Sequence, residues 1–211
     1  MEGDEQSVGA AGQTAPSVEM LDGELRLVVD GAVQSVAVHA GETPRGYWRA
    51  LVPARPASRA LILGLGGGTV AYLLRRQSSN LSITGVDDDA QVLALARNAF
   101  RIDDARVNVV QADAREYARR CGHRYDLVIV DLFRGEALAP FVAQRGFIRR
   151  VRSLVTPGGT LVWNLHRDRR SAALRRRAGL GLSLDRRVLA GLNLVLHFRR
   201  RRYRKAGGGI L

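Results

Sequence analysis

From residue 60 to residue 166, short apolar runs alternate with segments that read as helices. The runs are ALILGL, LSITGVD, RVNVVQA, YDLVIVD and GTLVWNLH, and such nearly continuous apolar strands are typical of a sheet covered on both faces. Between them lie GGTVAYLLRRQ, DAQVLALARNAF, DAREYARRCG and FVAQRGFIRRVRSLV. This alternation of strand and helix predicts a Rossmann-like, doubly wound α/β fold with a mostly parallel sheet.

The segments on either side extend this arrangement. RVLAG and LNLVLHFRR predict an antiparallel strand pair that completes a seven-stranded sheet, after a helix at RSAALRRRAGL. Ahead of the alternating region, GELRLVVDGAVQSVAVHA predicts a small β-hairpin around Asp30-Gly31, and TPRGYWRALV reads as a short helix. We therefore divide the chain into a disordered N-terminus at 1–19, a hairpin and linker at 20–56, the α/β domain at 57–205 and a flexible tail at 206–211.

Composition narrows the class of protein. The 211 residues are 46% hydrophobic, and no apolar run approaches the roughly 20 residues that span a bilayer. The acidic N-terminus lacks the basic and apolar regions of a secretory signal, so we expect a cytoplasmic protein. Cys121 is the only cysteine, which excludes an intrachain disulfide and a cysteine cluster for metal. We expect no metal cofactor.

The formal net charge of +13 is unevenly distributed. Residues 1–24 contain six acids and no base, whereas residues 167–205 contain fourteen bases against Asp168 and Asp185. Lys205 is the only lysine among the 33 basic residues, a bias that resembles genome composition more than selection for phosphate contacts. A nucleic-acid-binding face at 167–205 is therefore one interpretation, and solvated arginines on a terminal helix and strand are the simpler one.

A glycine-rich turn follows the first strand of the alternating region. Gly64, Gly66 and Gly68 form the pattern G-x-G-x-G, and glycines at such a turn allow a tight bend and the close approach of a ligand to the backbone. The dinucleotide pattern G-x-G-x-x-G would need a glycine in place of Thr69, so the chain departs from it. The turn predicts a nucleoside site, unless its glycines serve packing alone.

The next two strands end in carboxylates. Asp87 lies 19 residues beyond Gly68, where an acid can accept two hydrogen bonds from a ribose diol. Asp113 could accept a bond from an adenine amino group or cap the next helix, and the sequence leaves both interpretations open. Because the carboxyl ends of the strands meet at one edge of the sheet, we expect these residues to share one crevice.

Five segments in this order resemble the spermidine synthase (polyamine aminopropyltransferase) family, which has the class I S-adenosylmethionine-dependent methyltransferase fold. They are LRLVVDGAVQSVAV, LILGLGGGTVA, GVDDDAQVLALAR, VVQADAREYA and YDLVIVDLF, within residues 24–200. The resemblance implies S-adenosylmethionine or its decarboxylated form as co-substrate, a small amine as acceptor, and a homodimer. It implies these cofactor-binding residues: Gln34, Gly64, Gly66, Gly68, Asp87 and Asp113. It also places Asp131 in the catalytic position and Tyr47 and Arg134 near the acceptor.

Asp131 stands where an apolar strand meets a loop, and its residue type suits the implied chemistry. A free alkylamine has a pKa of about 10 and is mostly protonated at pH 7, so a positioned carboxylate can hold it and help to remove its proton. Three positions depart from the family: Gly67 and Arg134 replace acids, and Tyr47-Trp48-Arg49 replaces tyrosine-histidine-glutamate. An inward-facing Arg134 would repel a polyamine and favour a donor with a carboxylate, whereas an outward-facing one would favour polyamine chemistry.

These features leave three functions open. The first is aminopropyl transfer to an amine, with Asp131 as the acid/base. The second is an S-adenosylmethionine-dependent methyltransferase that uses the same nucleoside site. The third is a non-catalytic nucleoside- or RNA-binding relative, in which Asp131 only caps its loop.

Overall fold

The structure, a computed structural model, describes residues 14–39, 41–167, 176–177, 179 and 181–202. Its strands are β1 (Ser17–Leu21), β2 (Glu24–Val29), β3 (Ala32–Val36), β4 (Arg59–Leu63), β5 (Ser82–Asp87), β6 (Val107–Gln111), β7 (Tyr125–Val130), β8 (Phe133–Arg134), β9 (Ala137–Leu138), β10 (Val155–His166), β11 (Leu182–Ala190) and β12 (Asn193–Arg200). Its α-helices are α1 (Trp48–Leu51), α2 (Thr69–Gln77), α3 (Ala90–Asn98), α4 (Ala114–Arg120) and α5 (Arg145–Leu154). The predictions for residues 1–13, for most of the helix at 170–180 and for the tail at 206–211 lie outside the described residues.

The main sheet has seven strands in the order β11-β12-β10-β7-β4-β5-β6. β10, β7, β4, β5 and β6 run parallel, and β11 and β12 form the predicted antiparallel pair at one end. The seven-stranded Rossmann-like sheet is therefore confirmed. The chain winds from β4 outward to β6 and then returns to β7 on the other side of β4. A crevice consequently opens between the carboxyl ends of β4 and β7, where such folds bind ligands.

Both faces of the central strands are covered, as their apolar runs predict. In β4, Leu61 and Leu63 pack into a cluster with α4 and α5, whereas Ala60 and Ile62 pack into a second cluster with α2 and α3. All four side chains are buried, because successive residues of a strand point to opposite faces. The rigid strands thus position the loops that follow them at the edge of the sheet.

The N-terminal region forms a separate three-stranded antiparallel sheet, β1-β2-β3. The predicted hairpin joins β2 and β3 through Asp30 and Gly31, whose φ angles of 48° and 75° suit a two-residue turn. The predicted boundary of the disordered segment was wrong: residues 17–19 belong to β1. A further hairpin that the sequence did not predict, β8–β9, follows β7. Among the described residues, no helix is long and apolar enough to cross a membrane.

Candidate active site

A cavity of about 420 Å³ opens at the carboxyl edge of the sheet, at the crevice between β4 and β7. Its walls come from the glycine turn after β4, the ends of β5 and β7, the β8–β9 hairpin and the N-terminal sheet. The predicted site residues that line it are Gln34, Tyr47, Gly64, Gly66, Asp87, Asp131 and Arg134. Gly68 and Asp113 lie outside this lining. The fold therefore brings together most of the residues that the sequence singled out.

The glycine turn is shaped by close packing as well as by the cavity. A Cβ on Gly64 would lie 1.9 Å from the backbone oxygen of Asp131, and one on Gly68 would lie 2.0 Å from Cδ1 of Ile102. Both glycines have φ near 90°, a region that other residues rarely adopt. Gly64 thereby lets the end of β4 approach Asp131, whereas Gly68 packs against Ile102 at the start of α2. A role for Gly68 in binding a cofactor stays a prediction.

Gly67 supplies a structural reason for one departure from the family. A Cβ at this position would lie 2.9 Å from the Cβ of Ser35 and 3.1 Å from Cγ of Phe100. The N–H of Gly67 also donates to the hydroxyl oxygen of Ser35 at 2.8 Å. Ser35 of the N-terminal sheet and Phe100 after α3 therefore occupy the space that an acidic side chain in the turn would need.

Asp87 is held against the glycine turn. Its Oδ2 accepts a hydrogen bond from the N–H of Gly66 at 2.9 Å, and its Oδ1 accepts one from the N–H of Asp89 at 3.2 Å. Burial raises the pKa of Asp87, and the two backbone hydrogen bonds oppose that rise. Asp89, not Asp87, caps α3 by accepting from the N–H groups of Gln91 and Val92. The carboxylate of Asp87 is thus free of a capping role and available to the cavity.

Asp113 takes the capping role that the sequence left open. Its side chain accepts from the N–H groups of Arg115 and Glu116 at the start of α4, and it pairs with the Arg115 guanidinium at 3.1 Å. Burial acts to raise the pKa of Asp113, but the hydrogen bonds from Arg115 and Glu116 bring it below its usual value. Its neighbours Ala112 and Ala114 line the cavity instead. An adenine contact by Asp113 stays a prediction.

Asp131 begins the loop after β7, and two side chains orient its carboxylate. Oδ1 accepts a hydrogen bond from Nδ2 of Asn164 at 2.8 Å, and Oδ2 accepts one from the hydroxyl of Tyr47 at 3.2 Å. Burial raises the pKa of Asp131 to about 6; the two hydrogen bonds oppose this rise, and the nearby charge of Asp87 adds to it. A carboxyl group with a pKa near neutrality can hold and exchange a proton under ordinary conditions.

The sequence did not single out the asparagines behind Asp131. Asn164 in β10 is fully buried, and its Oδ1 accepts from Nδ2 of Asn193 at 3.1 Å. This second bond fixes which end of the Asn164 amide faces Asp131. The available signal was a lone amide within the apolar run TLVWNLH, because a buried polar side chain requires a hydrogen-bond partner. Burial, followed by the charge of Asp131, raises the pKa of Tyr47 well above its usual value, so Tyr47 stays a donor.

The β8–β9 hairpin forms one rim of the cavity. The Arg134 side chain on this hairpin is 64% exposed, and its Nη2 lies 3.0 Å from Oδ2 of Asp88. Its guanidinium therefore faces solvent and an acid at the mouth. Gln34 donates from Nε2 to the carbonyl of Gly135 at 2.7 Å, which ties the hairpin to β3. A contact between Gln34 and the nucleoside stays a prediction.

The order of strands in the sheet matches a class I methyltransferase-like fold. A family model described as "Methyltransferase domain" matches residues 60–159. A probable spermidine synthase from Corynebacterium glutamicum has the same fold, with a TM-score of 0.73 and 18% identity over 96% of this chain and 84% of that one. Human methyltransferase-like protein 13, solved with SAH, aligns with a TM-score of 0.61 and 21% identity over 75% of this chain and 80% of that one.

Curated relatives carry a more specific name. The polyamine aminopropyltransferase of Neisseria meningitidis serogroup A is 32% identical over 104 residues, which are 48% of this chain and 40% of the relative. The probable polyamine aminopropyl transferase of Bifidobacterium longum is 33% identical over 110 residues, which are 52% of this chain and 24% of the relative. The matched region thus spans less than half of either relative. The predicted resemblance to the spermidine synthase (polyamine aminopropyltransferase) family is confirmed, and these relatives are transferases.

Proposed function

We propose that this chain transfers an aminopropyl group from decarboxylated S-adenosylmethionine to the nitrogen of a small amine. The observation that carries the proposal is the charge of the cavity. The charged residue types described in its lining are five aspartates and one arginine, namely Asp30, Asp87, Asp88, Asp89, Asp131 and Arg134. The decarboxylated donor bears a sulfonium and an ammonium group, and the acceptor amine is also cationic. A cavity lined by carboxylates attracts both substrates.

The chemical step follows from the position of Asp131. The amine nitrogen attacks the methylene carbon next to sulfur, so a C–N bond forms while the C–S bond breaks and methylthioadenosine leaves as a neutral thioether. Before this attack the bound ammonium must lose one proton so that the nitrogen has a free lone pair, and Asp131 accepts that proton; the product is a secondary ammonium. A pKa of about 6 leaves this carboxylate ionised at neutral pH and able to bind the ammonium form beforehand. Tyr47 and Asn164 keep it in one orientation, which limits the entropy lost at the reaction.

Arg134 supports a decarboxylated donor over a carboxylated one. Its guanidinium is paired with Asp88 and largely exposed, so its charge is offset where a polyamine would enter. A methionine carboxylate, by contrast, would face the remaining aspartates and meet repulsion at close range. This outward placement is the arrangement expected for polyamine chemistry.

Methyl transfer is the second candidate, because the matching family model is that of a methyltransferase domain. In that case Arg134 would leave Asp88 and pair with the carboxylate of S-adenosylmethionine. Asp87 and the glycine turn would hold the nucleoside in the same way for either donor. The two functions therefore differ in which donor the cavity prefers.

Calorimetric titration with S-adenosylmethionine, its decarboxylated form and methylthioadenosine tests the proposal. We expect the decarboxylated donor to bind more tightly than S-adenosylmethionine. A preference for the carboxylated donor would contradict aminopropyl transfer and support methylation. If none of the three ligands bound, the result would instead favour a non-catalytic relative. Turnover with a diamine, followed by release of methylthioadenosine, gives an independent readout.

We further propose a cytoplasmic homodimer that pairs through the N-terminal sheet. Met20 and Leu21 in the edge strand β1 are 65% and 50% exposed, and large apolar side chains on an edge strand favour pairing with a second copy. Light scattering after size exclusion should give twice the chain mass of 23.1 kDa. Met20→Glu should shift the protein to the monomer, whereas a monomeric wild-type chain would contradict the proposal.

A further inference from the structure

A second cavity, of about 710 Å³, lies at the amino edge of the sheet, opposite the proposed active site. It forms where α5 and β12 end and where β10 and β11 begin. We call it the arginine groove after the five arginines in its lining, which are Arg149, Arg152, Arg200, Arg201 and Arg202. Neither aminopropyl transfer nor methyl transfer, as described above, uses this groove.

Arg200 is held in place by the surrounding backbone, whereas Arg152 has an unsatisfied donor. Nη1 of Arg200 donates to the carbonyl of Val155 at 2.6 Å and makes longer contacts with the carbonyls of Ser153 and Arg152. These carbonyls stand at the end of α5, where a helix leaves its last acceptors free. Nε of Arg152 is buried and has no hydrogen-bond partner among the described residues. A buried donor that has no partner in the described part of the chain can be satisfied by an acceptor on a bound ligand.

Two glycines make room for guanidinium groups in the groove. A Cβ on Gly181 would lie 2.8 Å from Nη2 of Arg152, and one on Gly158 would lie 2.7 Å from Nε of Arg202. Both glycines also have positive φ, at 71° and 83°, which disfavours any other residue. Arg152 and Arg202 therefore rest against the backbone, and the groove is a packed feature of the surface.

The positive charge of the groove has no acid to offset it in the part of the chain that the structure describes. The ion pairs found there use other arginines, which are Arg26, Arg101, Arg115, Arg119, Arg120 and Arg134. Burial, and then the neighbouring charge of Arg200, lower the pKa of Arg152. The positively charged guanidinium groups of the groove repel one another, and a bound anion relieves that repulsion.

We propose that the arginine groove binds a compact oligophosphate, such as inorganic tripolyphosphate or the triphosphate of a nucleotide. Guanidinium groups present paired N–H donors that match phosphate oxygens, and the volume falls in the range of small-molecule sites. The described lining contains no aromatic ring on which the bases of a single-stranded nucleic acid would stack. The phosphates are therefore the recognised group. Because the groove and the active site lie at opposite edges, both ligands can be bound at once.

Isothermal titration of the whole chain with sodium tripolyphosphate, with ATP and with an oligouridylate tests the proposal at about 150 mM salt. The test variant is Arg149→Gln/Arg202→Gln, which changes two exposed arginines of the groove. The control is Arg97→Gln/Arg106→Gln, which removes the same charge from α3 and from the residue just before β6, at the other end of the sheet. We expect one tripolyphosphate per chain, with ATP similar in affinity, because both present three phosphates.

The groove variant should weaken both ligands by about tenfold or more, and the control by less than about twofold. Tripolyphosphate should also raise the melting temperature of the wild type but not of the groove variant, while methylthioadenosine binding stays the same in both. Equal losses in the two variants would show that total charge suffices, and would overturn the proposal. Binding of oligouridylate alone, or of no probe, would overturn it as well.

Discussion

The two edges of one sheet carry opposite charge in this protein. At the carboxyl edge, aspartates line a cavity with Arg134 at its mouth, whereas at the amino edge five arginines line the arginine groove. The difference in charge arises from the backbone groups that are free to form hydrogen bonds at each edge. Turns that lead from strands into helices expose N–H groups, which hold Asp87 and Asp113; the end of α5 exposes carbonyls, which hold Arg200. A net charge of +13 therefore says little about the charge of either site.

The largest expected effect comes from removing the charge at the carboxyl edge that faces the reaction. Asp131→Asn should lower kcat by about 10²- to 10⁴-fold, because the amide cannot accept the amine proton. Binding of methylthioadenosine should be unchanged. The matched control is Asp126→Asn at the amino edge of the same strand, where the carboxylate only accepts from Ser58, Arg59 and Thr156. Full activity of Asp131→Asn in a steady-state assay would contradict the catalytic assignment.

The same substitution should also stabilise the folded protein. A carboxylate that serves stability would show the opposite effect, so the result tells the two roles apart. Burial raises the pKa of Asp131 to about 6, so the folded chain holds this proton more tightly than the unfolded chain does. Stability is therefore lost as the pH rises from about 4 to about 6, and Asp131→Asn should regain at most about 3 kcal/mol at neutral pH. Urea unfolding at about pH 4 and pH 7.5 measures this. An equal difference between wild type and variant at both pH values would rule out the linkage.

Asp87→Ala should affect binding more than turnover at saturation. The change removes the acceptor for the Gly66 N–H and the expected partner of the ribose diol, so S-adenosylmethionine, its decarboxylated form and methylthioadenosine should all bind about tenfold or more weakly. Asp126→Asn is again the control, because Asp126 lies outside the cavity lining, at the amino edge of the sheet. Calorimetry that showed unchanged affinity in Asp87→Ala would remove Asp87 from the nucleoside site.

Replacing Asn164 or Asn193, which lie behind Asp131, should have a smaller effect. It should be visible in the pH dependence of kcat/KM. Asn164→Ala removes a hydrogen bond that lowers the pKa of Asp131, so the acid limb of kcat/KM should move from about pH 6 to higher pH. Asn193→Ala should move it in the same direction but less, because Asn193 acts only through Asn164. If both variants lost stability but the acid limb of kcat/KM did not move, the two asparagines would serve only the packing of the fold.

The smallest effect is expected at Arg134, the one arginine in the described lining of the cavity. Arg134→Gln should lower the KM for a diamine by a few-fold, since it removes a cation near the entrance, and an exposed ion pair contributes only about 0–1 kcal/mol to stability. Arg115→Gln is a suitable control, as Arg115 is exposed and also pairs with an aspartate. If Arg134→Gln instead abolished binding of S-adenosylmethionine, Arg134 would hold a carboxylate and methylation would be favoured.

Local patterns were sufficient for most of the fold and part of the site. The strands from β4 to β7, the helix after the glycine turn, and the positions of Asp87 and Asp131 follow from apolar periodicity and from glycine at a tight turn. β1 was missed because its residues follow a stretch rich in Gly, Ala and acids. Asp113 was left undecided, and its capping bonds came only with the structure.

The sequence by itself determined a Rossmann-like fold, a glycine turn and carboxylates at strand ends, since each depends on residues that are neighbours in the chain. Only the tertiary structure decided how those carboxylates are paired. Asp131 bonds to Asn164 and Tyr47, 33 and 84 residues away, and Arg134 bonds to Asp88, 46 residues away. Such partners are set by the order of strands in the sheet, which places distant segments side by side. The same order gathers arginines at the amino edge, so the charge of each edge is a property of the fold.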